Sequence, residues 1–329
     1  MLVPRHWAEA RLQHREGRRT VTVRRFGWSD ESEARAQAHA EARAREALDR
    51  VLAGEALPRN ERRVAYNGAD GMPIREEIVD RQGESVVTRN GYGALCLNTP
   101  DLLFADIDFA PRPSSGRSVL VSMIVTAVLV TIGLHAGLGR SLGTSLAAAF
   151  FASLAIGIPM PGLLHRWGIA MRGGAERLAR KRIRHFLASR PDWRVRLYRT
   201  PAGLRLMAVH RPFDPREPEV QAAFDALGVD PVFARMCFNQ RCFRARLTPK
   251  PWRIGLPRLR PPSSGAWQPM HATLPARQAW IDAYTRRAAG YAACRHLDTL
   301  GGGAEAPELV PLREYHDTVC AADRELPLA

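Results

Sequence analysis

The segment Leu102-Leu103-Phe104-Ala105-Asp106-Ile107-Asp108-Phe109 holds the sharpest chemical signal in the chain. In a β-strand side chains alternate between faces, so Asp106 and Asp108 project together while Leu103, Ala105, Ile107 and Phe109 line the other side. Two carboxylates at the end of an apolar strand are costly unless they are solvated, paired or bound to a cation. Hard divalent ions such as Mg²⁺ or Mn²⁺ suit paired carboxylates and serve phosphate-bearing substrates. A strand that simply surfaces, with both aspartates in water, is the competing reading. His210 and Asp214, in His210-Arg211-Pro212-Phe213-Asp214-Pro215, are the residues expected to complete such a metal site. The alternative has His210 ending a strand and Asp214 capping the turn before Pro215. Arg199, Arg205, Arg244 and Arg246 are the candidate contacts for phosphate or nucleic acid, because guanidinium groups bind phosphate bidentately.

Tyr198–His210 reads as a strand, a Pro201-Ala202-Gly203 turn and a second strand with two arginines and a terminal histidine. Together with the Leu-Leu-Phe-Ala-Asp-Ile-Asp-Phe segment, it resembles the archaeo-eukaryotic primase superfamily, the primase–polymerases. Asp106 and Asp108 match that superfamily's metal-binding D-x-D, and Thr200, Pro201, Gly203 and Arg205 match much of its TP-x-GG-x-H hairpin. Leu204 replaces the second glycine and Leu206 stands where the histidine belongs, with His210 four residues on. The resemblance spans residues 62–250 and implies a degenerate relative that binds nucleotide or nucleic acid.

Two apolar runs, Val119–Leu138 and Leu142–Leu164, contain no Asp, Glu, Lys or Arg, although charged residues are 25% of the chain. Each is long enough to cross a hydrocarbon core of about 30 Å as a helix. Only Gly139–Ser141 separates them, so the sequence predicts an antiparallel hairpin with Arg140 near its tip. Arg112 and Arg117 precede the hairpin; Arg166, Arg172, Arg177, Arg180, Lys181, Arg182 and Arg184 follow it. The positive-inside bias then puts both flanks and both termini in the cytoplasm, with Arg140 across a bacterial inner membrane. A helical hairpin buried in a large soluble core is the alternative. The first residues, MLVPRHWAEARLQHREG, lack the apolar core of a signal peptide.

The net charge of +15 is carried by one stretch: Arg166–Arg260 holds 22 Lys and Arg against seven Asp and Glu. Such an excess suits anionic lipid headgroups, nucleic acid or an acidic protein. Cys96, Cys237, Cys242, Cys294 and Cys320 are scattered, and the Cys237/Cys242 pair has no second pair to make a zinc site, so all five read as reduced structural thiols. No phosphate-binding P-loop, nucleophile elbow, His-Glu-x-x-His or dinucleotide fingerprint occurs. The hairpin carries no acid, which argues against a transporter or proton pump.

These features define an α+β chain with a mixed or antiparallel sheet and flanking helices, interrupted by the hairpin. Residues 1–56 form a β–α unit, 57–110 and 173–256 the two halves of a cytoplasmic domain, 111–172 the linker and hairpin, and 257–329 a Pro-rich linker and helical region. In the first unit a strand over 19–27 leads to a helix capped by Ser29 or Asp30 and running to Leu52 on an alanine face. The same residues read as an ordinary β–α packing unit, which is the expectation here; the unit also resembles the arm-type DNA-binding module of phage integrases. Further strands are predicted at Arg63–Tyr66, Ile74–Asp80, Ser85–Thr88, Trp193–Thr200, Leu204–His210 and Cys237–Leu247. Helices are predicted at Ala175–Ser189, Glu217–Leu227 and Leu274–Leu300. The function that follows is a membrane-anchored binding or scaffold module for lipid headgroups, nucleic acid or protein. A metal-dependent nucleotidyl- or phosphoryl-handling enzyme built on Asp106 and Asp108 is the alternative.

Overall fold

A computed structural model describes residues 3–17, 19–61, 72–109, 115–260 and 267–329. The strand expected at Arg63–Tyr66, residues 111–114 of the linker before the hairpin and residues 261–266 of the Pro-rich stretch lie outside them. Met1–Ile107, Leu187–Pro201 and Arg205–Ala329 form one compact unit; Asp108–Phe186 with Ala202–Leu204 form the other.

The first unit opens on a two-stranded antiparallel sheet, β1 (His6–Glu16) and β2 (Arg19–Ser29), covered by helix α1 (Glu33–Leu52). The helix starts one turn later than expected: Ser32, not Ser29 or Asp30, accepts from the Arg35 amide at 3.2 Å. Its buried residues are Ala36, Ala40, Ala44 and Ala47, the alanine face read from sequence. A side chain at Gly27 would meet the Ala36 carbonyl and the Ala40 backbone at 2.2 Å, so helix and hairpin can pack this closely only over a glycine.

Two four-stranded sheets follow. The strands β3 (Glu77–Gln82), β4 (Ser85–Arg89) and β5 (Leu95–Thr99) form an antiparallel meander that β9 (Phe243–Arg246) completes beside β5. The second sheet has the order β10-β7-β8-β6, from β6 (Phe104–Asp108), β7 (Val195–Arg199), β8 (Gly203–Ala208) and β10 (Arg295–Leu300). Both sheets therefore join strands from before and after the apolar hairpin. Helices α6 (Pro218–Leu227) and α7 (Pro231–Gln240) lie between β8 and β9, and α8 (Pro275–Ala288) lies between β9 and β10. A further helix, α9 (Val310–Cys320), follows β10.

Two expectations are corrected here. Leu274–Leu300 is not one helix: α8 stops at Ala288, and Arg295–Leu300 is the edge strand β10 paired with β7. Cys237–Leu247 is not one strand: α7, capped by Asp230 with Pro231 in its first turn, runs to Gln240. Arg241 then takes a left-handed conformation, φ 50°, and the chain turns into the short β9.

In the second unit, helix α2 (Gly116–Ile132) continues through a π-helical turn to Gly137. Helices α3 (Leu142–Ala152) and α4 (Met160–Met171) are joined by a π-helical turn at Ser153–Gly157. Gly116–Gly137 and Leu142–Met171 are each long and apolar enough to cross a membrane. Ser145, Ala149, Ser153 and Gly157 are buried at every fourth position, while Leu146, Phe150 and Phe151 are exposed. A stripe of small residues lets helix backbones approach where neither water nor large side chains drive the contact. At Gly157 a Cβ would lie 2.8 Å from the Met123 Cα; at Gly143 it would meet nothing within 4 Å. The helix α5 (Gly174–Ala188) then buries Ala179, Ile183 and Phe186.

Gly157→Leu is therefore expected to lower the thermal stability of the detergent-solubilised chain, by about 1–3 kcal/mol for an overpacked contact. Gly143→Leu should leave it unchanged, and equal melting of the two variants would refute this packing.

A candidate polar site between strand and helix

Two backbone bonds fix the register of β6 against β8. The Ala208 amide donates to the Leu103 carbonyl at 3.0 Å, and the Phe109 amide donates to the Ala202 carbonyl at 2.9 Å. Continued along an antiparallel ladder, this register sets Asp106 directly opposite Arg205 at a non-hydrogen-bonded position, where facing side chains are closest. The pair is bidentate: Arg205 Nε lies 2.7 Å from Asp106 Oδ1, and Nη2 lies 3.1 Å from Oδ2. Arg205 is buried, and its Nη1 donates to the Arg246 carbonyl at 3.0 Å. Burial works against the guanidinium charge, but Asp106 outweighs it and holds the pKa above its ordinary value.

A second charged group adjoins this pair. On α9, Asp317 receives the Tyr198 hydroxyl at 2.7 Å and Arg196 Nη2 at 2.9 Å. His316 Nδ1 lies 2.9 Å from the same Asp317 carboxylate, and His316 Nε2 lies 3.4 Å from Arg205 Nη1. Burial alone would raise the Asp317 pKa, yet His316, Tyr198 and Arg196 hold it below the ordinary value. Burial likewise favours a neutral His316 ring, and Asp317 and Cys294 more than reverse that. Tyr198 is pushed well above its ordinary value by burial and by the Asp317 charge, so its hydroxyl stays a donor.

The other sheet buries a charge pair of its own. Arg244 Nη2 contacts Glu76 at 2.9 and 2.7 Å and its Nη1 donates to Asn98 at 2.8 Å, while Thr88 donates to Glu76 at 2.7 Å. Both Glu76 oxygens, the Thr88 hydroxyl, the Asn98 amide and both Nη atoms of Arg244 have partners, as a buried network requires.

The residues singled out from sequence are thus placed differently from the expected metal and phosphate sites. Asp106 shares a face with Asp108, as the alternation required, but both its oxygens are held by Arg205; Asp108 is exposed at the strand's end. The register puts His210 on the face opposite Asp106. Its ring centroid is 4.8 Å from Trp193 and 5.2 Å from Phe213, and burial holds its pKa low. Asp214 caps a turn, accepting from the Arg216 amide at 2.8 Å. Neither joins Asp106, so the four-residue metal site does not assemble. Among the phosphate candidates, Arg205 and Arg244 are spent on Asp106 and Glu76. Arg246 donates to the Thr248 carbonyl at 2.7 Å. Arg199 is half-buried on β7 opposite Arg295. The basic strand face expected at Arg244 and Arg246 is therefore an internal polar layer.

Sequence reasoning did not single out His316 or Asp317, and it read Cys294 and Cys320 as structural thiols. One signal was present: His316 and Cys320 are four apart and so share a face of any helix that carries them. No protein-family model matches the chain, and no curated protein or solved structure matches it.

Removing one member of a buried ion pair strands its partner, at a cost of about 3–5 kcal/mol. Glu76→Leu should lose that much in chemical denaturation, and Glu76→Leu/Arg244→Met should regain part of it. Equal losses in the single and double variants would contradict a shared buried pair.

Proposed function

We propose that this chain is an integral protein of a bacterial inner membrane, anchored by its two apolar helices, with both termini in the cytoplasm. Its α+β domain is then a binding or scaffold module held at an anionic surface. The observation that carries this reading is the junction of the hairpin with α5. The hairpin exposes Leu120, Ile124, Leu129, Phe151, Leu163 and Trp167, with Trp167 near its end, where an amphipathic ring suits the interface. Immediately after it, Arg177, Lys181 and Arg184 stand exposed along one side of α5, opposite the buried Ala179, Ile183 and Phe186. The helix has one acid, Glu176, and it pairs with Arg180 at 3.0 Å. A basic stripe beside an apolar span attracts anionic headgroups by about 1 kcal/mol per charge at the surface.

The enzymatic alternative has no comparable support, because Arg205 already neutralises the carboxylate that would have held its metal.

Reporter fusions near residues 100 and 190 should read cytoplasmic, and a fusion at Gly139–Ser141 should read external. In Arg177→Glu/Lys181→Glu/Arg184→Glu the orientation should become mixed, since Lys and Arg bias sets topology. Release of the intact chain by alkaline carbonate, or a cytoplasmic signal at residue 140, would refute the anchor.

A further inference from the structure

Cys294, His316 and Cys320 are fully buried, and each offers one donor atom within 4.8 Å of the other two. Their meeting is built by backbone. Cys294 sits just before β10, where the Ala293 amide donates to the Cys320 carbonyl at 3.0 Å and the His296 amide to the Ala322 carbonyl at 2.9 Å. His316 and Cys320 are one turn apart on α9, which ends at Ala321 in a left-handed conformation, φ 53°. That turn brings Ala322 back beside His296 and locks the strand's start against the helix end.

We propose that Cys294, His316 and Cys320 bind a borderline-soft divalent ion, Zn²⁺ first, through two thiolates and one imidazole nitrogen. Tetrahedral zinc with these bond lengths needs donors about 3.5–3.8 Å apart, so at most about 1 Å of adjustment closes the site. Thiolate and imidazole select zinc and its neighbours over Mg²⁺ or Mn²⁺, which prefer oxygen. The ring is already oriented: Asp317 holds Nδ1, which leaves Nε2 for the metal, the carboxylate–histidine arrangement that steadies metal ligands. Charge also balances. Asp106 pairs with Arg205 and Asp317 with Arg196, so the two thiolates alone offset the ion. Binding releases two protons from the Cys294, His316 and Cys320 set as the metal–sulfur bonds form, and no electron moves. Three protein ligands leave one coordination position open. Arg205 Nη1, 3.4 Å from Nε2, must give up that contact, and its hydrogen bonds to Asp106 and the Arg246 carbonyl remain.

The test uses the full chain in detergent, reduced, stripped with chelator and titrated with Co²⁺ or Zn²⁺. Co²⁺ should give thiolate-to-metal charge-transfer absorption saturating at one ion per chain. Cys294→Ser, Cys320→Ser and His316→Gln should each abolish it, Cys237→Ser should keep it, and Asp317→Asn should weaken binding about 10–100-fold. Because a ligand variant can fail to fold, X-ray absorption of the zinc-loaded wild type gives an independent reading: two sulfurs near 2.3 Å and one nitrogen near 2.0–2.1 Å. Absence of the band in folded wild type overturns the site. So do its persistence in the ligand variants, an all-oxygen shell, or a Cys294–Cys320 disulfide whose reduction yields no metal uptake.

Discussion

Ala208 donates to Leu103 across β8 and β6, and Leu247 donates to Leu95 beside β9 and β5. Each of these bonds joins a strand before the apolar hairpin to one after it. The rest of the first unit depends on that closure. It sets Asp106 opposite Arg205, carries Arg244 to Glu76, and gives β10 and α9 a sheet to pack on. The entropic cost of closing so long a loop grows only slowly, by about 0.6 kcal/mol for each doubling of length. A chain can therefore take an insertion of this size between paired strands, provided the pairs bury enough apolar surface. Phe104, Leu103 and Ile107 on one side of the insertion and Leu204, Leu206 and Met207 on the other are all buried.

The same closure sets where some of the arginine goes. A net charge of +15 invites a reading in which arginines line a surface for phosphate. Five of the arginines are instead internal and paired: Arg205, Arg244, Arg196, Arg89 and Arg277 each meet a carboxylate inside the fold, so the net charge is carried by other residues. Arginine suits this use because its planar fork satisfies two oxygens at once and stays charged when buried. On α5, directly after the hairpin, Arg177, Lys181 and Arg184 are exposed.

The apolar hairpin was legible because charge-free runs of that length are unmistakable, and β6, β8 and α1 because their alternation or alanine spacing was regular. What was lost has physical causes. The strand β1 is built from Arg, Glu, Gln and His with few apolar residues, and it exists because β2 pairs with all of it. The strand β10 was absorbed into the helix expected over Leu274–Leu300, yet pairing with β7 overrides local preference after Gly290. The Asp230-Pro231 start of α7 was a readable cap, masked by the alternating residues that follow it. At the site, the D-x-D strand was found and its partner misassigned. Alternation tells which face a carboxylate takes, whereas Arg205 follows from the register between strands 99 positions apart. The Cys294, His316 and Cys320 cluster left only the four-residue spacing of His316 and Cys320 in the sequence, since its closure needs the turn at Ala321 and the return of the chain to β10.

Strands on both sides of the hairpin form one cooperative fold, and amide hydrogen exchange of the full chain in detergent tests this most directly. Peptides covering 95–107, 205–208 and 243–247 should exchange together, only through global opening, because their amides bond across the insertion. Independent opening of the segments before and after the hairpin, with one protected and the other exchanging freely, would contradict it.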